Sequence, residues 1–409
     1  MDHREPEGQR IHLKNTPTQV EEFQDLEKKH SKNFSVIGLL AIALIVLFFL
    51  SLVFIVPYDQ FAFTPSWIFT HVQDRFTQFY LIISGKNDEF LKVFCQYIAV
   101  MLAGCALSVT GGVFKGSFKN VLAGPSTMGV MSGGTLGALV YILLFTVSET
   151  QAEEGKTAAL AEYASHSIIE AYGTQLFILV GSFLAVGLVM GIALAAGRGK
   201  VSGTAMIMSG TVLSSLTSSV FMMVQYYMIL TDPSDTRIET LQDLMMGSFN
   251  NIENFLDIAL FGIPIIVCIV ICMSVSGRLN LLSLGEDEAR SMGIDTGFYR
   301  NMMIIVGTVL TAIVIAFCGR IGFLGFMVPM VARKLVGPDM KKLIPCSALI
   351  GALMLTVVFD VAYICGLTDY MNLFTSSIGG IVMVIVIMRK GGKPDAVKQG
   401  PAAGNMGIR

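Results

Sequence analysis

The sequence predicts an all-α integral membrane protein with about ten transmembrane helices. Of its 409 residues, 53% are hydrophobic and 14% are charged, whereas a soluble domain carries about 25% charged residues. Ten charge-poor segments follow one another: 34–56, 93–114, 121–148, 171–197, 201–231, 258–277, 301–319, 321–332, 343–359 and 370–388. All but 321–332 reach the length of at least about 17 residues that a helix needs to cross a bilayer.

Basic residues indicate the orientation of these segments. With the amino terminus inside and all ten segments crossing, fourteen Lys and Arg residues lie in the inner loops and directly after the tenth segment. Apart from Arg320, which lies between the seventh and eighth segments, the outer loops hold only five, which are Arg75, Lys86, Lys92, Lys156 and Arg237. Because basic residues are retained on the cytoplasmic side, we expect a plasma-membrane protein with both termini in the cytoplasm.

Composition divides the chain into three parts. Residues 1–33 are predicted to be a polar cytoplasmic tail, in which Thr16 and Pro17 are typical of a helix start. Residues 34–390 form the transmembrane domain, including a cytoplasmic loop at 277–300. Residues 391–409 are rich in Gly, Pro and Lys, and we expect a disordered cytoplasmic tail.

Signals of enzyme chemistry and metal binding are weak. The chain has no GxxxxGK[ST], HExxH or G-x-S-x-G sequence. Its seven cysteines and 24 methionines form no metal-ligand pattern and fit packing inside a membrane protein. We therefore expect no catalytic residue, no metal site and no bound cofactor.

Asp360 is the only acid well inside a predicted segment. A helix that enters the membrane at Leu343 carries it about 26 Å along the axis, near the outer surface. An ion-coupled carrier needs buried ionisable groups, so one acid at that depth is weak support. A secondary transporter that works without an ATPase stays open as the alternative.

The loop at 277–300 is the most specific feature of the sequence. Gly285 and Gly293 frame a short segment whose first turn is acidic and whose last turn is basic, as a helix dipole favours. Its residues are Gly285, Glu286, Asp287, Glu288, Ala289, Arg290 and Gly293. The pattern predicts a preformed short helix beneath the membrane, where a soluble partner can push on it.

Small residues mark two of the predicted spans. The second carries Gly104, Ser108 and Gly111, and the fifth carries Gly203, Ser209, Gly210, Ser214 and Ser218. Such spacing lets helices pack closely, but it equally fits a polar passage, and both interpretations stay open. The density of hydroxyls favours a passage along the fifth span.

Three blocks of residues follow one another along the chain: Asn120 to Gly134, Leu281 to Gly293 and Gly319 to Arg333. They resemble NPLAxPxxLGxxxGA, LSLGEexArxLG and GxIGFxGxxxPHxxR, which are motifs of one family. This family, called the FecCD family, consists of the permease subunits of ABC importers for iron-siderophores, haem and vitamin B12. Asp360 matches a late-helix aspartate of the family. The resemblance covers about residues 36 to 390.

The resemblance implies a fold like that of the vitamin B12 importer permease, a type II ABC importer. It implies a second permease subunit, identical or different, two ATPase subunits that bind ATP, and an extracytoplasmic substrate-binding lipoprotein. Gly285 to Gly293 would be the helix that couples to the ATPase. The second and fifth spans would line the passage for an iron-siderophore or related metal chelate such as haem or a corrinoid.

The chain departs from the family at its outer face. Val93 to Gln96 replaces a basic-Leu-Pro-basic turn, and Ile364 replaces an arginine four residues after the late aspartate. We expect Lys86, Lys92, Arg320 and Asp360 to lie at the outer mouth, where a basic residue among them substitutes in partner docking. The chain is thus identified as a divergent member of the family.

Overall fold

The computed structural model describes residues 19–54, 88–118, 120, 122–145, 168–197, 203–284 and 286–390. Within them the helices are α1 Gln19–Phe54, α2 Asp88–Phe118, α3 Val130–Phe145, α4 Ile168–Ala196, α5 Gly203–Thr231, α6 Thr236–Met246, α7 Phe255–Leu284, α8 Glu286–Ser291, α9 Thr296–Cys318, α10 Leu324–Val336, α11 Met340–Ile364 and α12 Met371–Lys390. The predictions for Lys86, Gly285 and the terminal residues 1–18 and 391–409 lie outside this described part.

The predicted segments all contain a helix. Seven helices of the described part are long and apolar enough to cross a membrane, namely α1, α2, α4, α5, α7, α9 and α11. Helix α3 has 16 residues and α10 has 13, so both are shorter than a full crossing. Helix α1 runs without a break across the predicted boundary between residues 33 and 34.

The third predicted span begins later than expected. The sequence predicts a start at residue 121, and this is wrong because α3 begins at Val130. Residues 122–129 form turns in which the Thr127 hydroxyl donates to the carbonyl of Leu122 at 2.9 Å. Pro125 has no N–H to contribute to a helix, and Gly129 has a φ of +78°, which favours glycine.

Helix α2 is the centre of the core. In its candidate span 78% of the residues are buried, compared with 22% in α5 and 11% in α1. Its most extensive contact is with α11, where glycines bring the two backbones together. A Cβ atom on Gly104 would lie 2.4 Å from the carbonyl oxygen of Gly351. Close backbone approach of this kind is how small residues pack membrane helices.

The two ends of the bundle carry different features. The α8 end holds α8 and the start of α11. The Asp360 end holds the last turns of α11 and helix α6, which has no counterpart among the predicted segments. Asp235 caps α6 by accepting a bond from the backbone N–H of Arg237 at 3.0 Å.

The chain re-enters the bundle between α9 and α10 without forming a helix. Phe323 has a φ of 62°, and a Cβ atom on Gly379 of α12 would lie 2.5 Å from its Cβ. Asn372 of α12 accepts the backbone N–H of Gly322 at 2.9 Å. Gly325 then touches Gly111, which lies inside the candidate span of α2. Helix α10 therefore starts at membrane depth.

Candidate functional site

Helix α8 is present where the charge pattern predicts a short helix. Ala289 is fully buried, and its carbonyl accepts the N–H of Ile294 at 3.1 Å. Arg290 is exposed, with Nε 3.4 Å from the hydroxyl of Thr296. Gly293 closes the segment with a φ of +79°. The side chains of Glu286, Asp287 and Glu288 lie outside the described part, and their coupling role stays a prediction.

The small residues of α2 lie in helix contacts. Gly104 and Ser108 face Gly351 of α11, and the Ser108 hydroxyl is fully buried. A Cβ atom on Gly111 would lie 1.6 Å from the carbonyl oxygen of Gly325. These contacts favour close packing over a passage for the three residues of α2, and a role in the passage stays a prediction.

The small residues of α5 divide between two environments. Gly210 faces the turn before α3, where an added Cβ would lie 2.2 Å from the carbonyl oxygen of Thr127. The hydroxyl of Ser132 donates to Ser214 Oγ at 2.6 Å, so this side of α5 is joined to α3. Gly203, Ser209 and Ser218 are half-buried, and they stay predicted residues of the passage.

The opposite face of α5 is open along its whole length. Large apolar side chains on it are exposed, among them Met223 at 76% and Tyr227 at 69%. Near the Asp360 end, this face and the end of α3 border an open-sided cavity of about 700 Å³. Its lining consists of Leu143, Val220, Met223, Val224, Tyr227, Met228, Thr231, Asp232, Asp235 and Arg237. The size and the mostly apolar lining are typical of a site for an organic molecule.

Two of the residues predicted at the outer mouth already have partners within the chain. The ammonium group of Lys92 donates to Glu253 Oε1 at 2.6 Å. The carboxyl of Asp360 accepts from the Tyr97 hydroxyl at 2.6 Å and from the Ser51 hydroxyl at 2.7 Å. Asp360 thus joins α11 to α2 and α1, and its role in docking stays a prediction.

Arg320 lies half-buried in the segment that re-enters the bundle. Its backbone N–H donates to the carbonyl of Leu244 at 2.9 Å, and its Nη1 lies 3.4 Å from Met245 Sδ. A thioether is a weak acceptor, so the guanidinium keeps capacity for a stronger acceptor. Of the two basic docking residues that the structure describes, Lys92 is paired with a carboxylate and Arg320 has no carboxylate partner within the described part.

The rim of the α5 cavity contains a buried ion pair. Arg237 Nη2 lies 2.6 Å from Asp235 Oδ2, and the Asp235 side chain is 4% exposed. Hydrogen bonds from Arg237 hold the pKa of Asp235 below its ordinary value. Asp243 of α6 is shifted the other way, because partial desolvation and the nearby acids Asp369 and Glu239 raise its pKa. Since the pKa of Asp235 is lowered, the carboxyl in the ion pair stays charged at neutral pH.

Asp235→Asn is expected to destabilise the protein by about 1–2 kcal/mol at neutral pH, because a charge-assisted pair becomes a neutral one. The folded pKa lies below the unfolded one. The stabilisation by the ion pair is therefore fully present above about 3.9, the pKa of Asp235 in the unfolded chain. It is lost as the pH falls through the pKa of Asp235 in the folded protein. Thermal midpoints of wild type and variant should converge as the pH falls below the folded pKa of Asp235. Glu239→Gln, on the exposed side of α6, is the control, and a pH-independent difference would contradict the assignment.

Sequence reasoning missed the partners that fix these residues. Tyr97 and Ser51 hold Asp360, and Asn280 of α7 contacts the start of α11. A polar residue within an apolar helix is the signal that all three share, but it does not identify the partner. In the described part, no group of three His, Cys, Asp or Glu side chains is placed to hold a metal ion.

A family model matches this arrangement of helices over most of the chain. The model of the FecCD transport family matches residues 40–389. The chain belongs to the FecCD transport family. Membership together with the apolar helices makes it a multi-pass membrane protein and a transport permease of the ABC importer type.

Curated relatives of the family are similar to this chain at a distance. The molybdate import system permease MolB of Haemophilus influenzae is 28% identical over 73% of this chain and 80% of its own length. The vitamin B12 import system permease BtuC of Salmonella paratyphi A is 28% identical over 65% of this chain and 72% of its own length. The cobalamin import system permease BtuC of Halobacterium salinarum is 27% identical over 68% of this chain and 66% of its own length.

A solved structure shows the same fold. An inward-facing conformation of a metal-chelate type ABC transporter superposes with a TM-score of 0.65 at 23% identity. The match covers 86% of this chain and 99% of that one. The type II importer permease fold expected from the sequence is confirmed.

Proposed function

We propose that this chain carries an iron-siderophore or a related metal chelate, such as haem or a corrinoid, into the cell. ATP hydrolysis by partner subunits would drive the transport. The observation that carries the proposal is α8, a short helix set between two long helices at one end of a permease fold. Both termini and the α8 end would then face the cytoplasm of a plasma-membrane protein.

The proposed mechanism is alternating access. ATP binding by the two ATPase subunits displaces α8, and the long helices that flank it, α7 and α9, shift with it. Because closely packed helices move as rigid bodies rather than deform, a small shift at the α8 end changes the opening of the passage at the Asp360 end. This chain binds the cargo only transiently and makes or breaks no bond.

The open face of α5 supports a bulky cargo. Its cavity of about 700 Å³ is lined mainly by apolar side chains, which suit an organic chelate better than a small hydrated oxyanion. MolB, BtuC and their relatives show that different cargoes occur among similar chains, so the cargo has to be measured. A second permease subunit, identical or different, would face the same surface of α5 across the passage.

Docking of the substrate-binding lipoprotein is proposed at the Asp360 end. Lys92 is already paired with Glu253, which leaves Arg320 as the described candidate to meet an acidic group. Since Arg320 is half-buried, the partner would have to insert a side chain to reach it. Flat contact between the two surfaces would not suffice.

Reconstitution tests the proposed function. The full chain is placed in proteoliposomes with and without its ATPase partner and binding protein, and uptake of radiolabelled ferrichrome, haemin, cyanocobalamin and molybdate is measured. ATP-dependent uptake of a chelate, absent without the ATPase, is the expected result. Accumulation against a gradient without the ATPase would instead establish the ion-coupled alternative, for which the half-buried carboxyl of Asp360 is the only described observation.

A further inference from the structure

One side chain fastens the end of α7 to the start of α11. Asn280, half-buried near the end of α7, donates its amide N–H to Asp339 Oδ1 at 2.6 Å. The amide oxygen of the same residue accepts the backbone N–H of Met340 at 2.7 Å. The orientation of the amide is determined, since a carboxylate requires a donor and an N–H requires an acceptor.

The acceptor side of this contact is itself held in place. Asp339 is the N-cap of α11, and its Oδ1 also accepts the backbone N–H of Lys341 at 3.0 Å. The neighbours Leu279 and Leu343 are buried, so apolar packing surrounds the polar pair. A charge-assisted bond and a second bond from one planar group resist sliding more than an apolar contact does.

Asn280 lies between α8 and the helices of the core. Helix α7 ends at Leu284, about 6 Å further along the axis, and α8 begins at Glu286. Helix α11 in turn packs through Gly351 against Gly104 of α2, the centre of the core. A displacement of α8 that moves the end of α7 therefore reaches α11 through Asn280, in addition to the direct packing of α7 and α9 on α2.

From this geometry we infer that Asn280 is a positioning residue that transmits the motion of α8 to α11. It touches neither cargo nor nucleotide. Without its two bonds, α7 moves past the start of α11, so ATP is hydrolysed while less of the motion reaches the passage. The inference rests on the proposed function, because it assumes that an ATPase acts at α8.

Asn280→Ala tests the inference in the full chain, reconstituted with its ATPase and binding protein. The probe is radiolabelled cyanocobalamin, or whichever of the four compounds above the wild-type complex accumulates. Uptake per ATP hydrolysed is expected to fall about tenfold, a typical magnitude for coupling between sites, while the ATPase rate stays near that of wild type. Asn301→Ala, an exposed asparagine at the same end on α9, is the matched control and should leave both rates unchanged.

A reciprocal exchange separates transmission from stability. Asn280→Asp alone places two carboxylates against each other and should uncouple the complex. Adding Asp339→Asn restores a donor opposite the carboxylate at position 280 and keeps an amide oxygen as the cap of α11. The double variant should therefore recover most of the uptake per ATP.

The outcomes of these experiments separate failure of the proposed function from failure of the inference about Asn280. If the wild-type complex shows no ATP-dependent uptake, the proposed function fails before the inference is reached. If wild type transports and Asn280→Ala transports equally well, or loses uptake and ATPase activity in parallel, Asn280 does not transmit motion. If the single variants do not assemble, the double variant alone decides, and uncoupled hydrolysis in a correctly assembled double variant overturns the inference.

Discussion

Gly111→Ala is expected to leave almost no folded protein. The added methyl group would lie 1.6 Å from the carbonyl oxygen of Gly325 and 2.8 Å from its Cα. Both are backbone atoms, so no side chain can turn away to make room. Overpacking a core costs about 1–3 kcal/mol where side chains can adjust, and here the cost should exceed that range. The yield of monodisperse protein after detergent extraction measures the effect.

The neighbouring residue provides a matched control. An alanine methyl at Gly112 would have its nearest neighbours, Pro329 Cβ and Ser347 Oγ, at 3.9 Å, which is ordinary van der Waals contact. Gly112→Ala should therefore give a wild-type yield. If Gly111→Ala folded normally and only slowed uptake, α2 would line the passage and the close-packing interpretation would fail.

Asp360→Ala is expected to lower the free energy of unfolding by about 3 kcal/mol, since hydrogen bonds to a charged group contribute roughly 1.5–3 kcal/mol each. The variant removes the acceptor that joins Tyr97 of α2 and Ser51 of α1 to α11. Asp360→Asn should cost much less, because an amide oxygen still accepts from one hydroxyl and its N–H₂ donates to the other. Thermal unfolding of the detergent-solubilised variants measures both values.

The same pair of variants separates two kinds of transporter. With ATP as the energy source, Asp360→Asn keeps most of the uptake, because the carboxyl serves to hold helices together. An ion-coupled carrier would lose uptake with Asp360→Asn, since an amide cannot load and release a proton or cation. Complete loss of uptake in a stable Asp360→Asn variant would therefore contradict the ATP-driven mechanism.

The order of the apolar helices follows from the sequence, because a bilayer demands long apolar stretches and basic inner loops of any such chain, whereas the polar helix α6 carries no such signal. The start of α3 does not follow. Hydropathy continues through residues 122–129 as if they were helical, whereas Pro125 and the positive φ of Gly129 prevent it. Hydropathy measures transfer of side chains out of water and carries no information about backbone geometry.

The environments of the small residues also could not be predicted from the sequence. Gly111 of α2 and Gly210 of α5 both lie against backbone carbonyl groups, while Ser215 on the next turns of α5 is exposed. Spacing along one helix identifies a face with small side chains, but the identity of the facing helix is set by the tertiary fold. The same holds for Lys92, which looks free in the sequence and is paired with Glu253.

The non-helical segment before α10 has a consequence for the order of assembly during synthesis. Backbone polar groups at membrane depth are stable only where protein covers them. Here Asn372 of α12, the last helix of the described part, bonds to Gly322 and to the carbonyl of Met245. Residues 319–323 therefore reach their final position only after α12 has left the ribosome, and a nascent chain ending before Asn372 would hold this region open to water or to a chaperone.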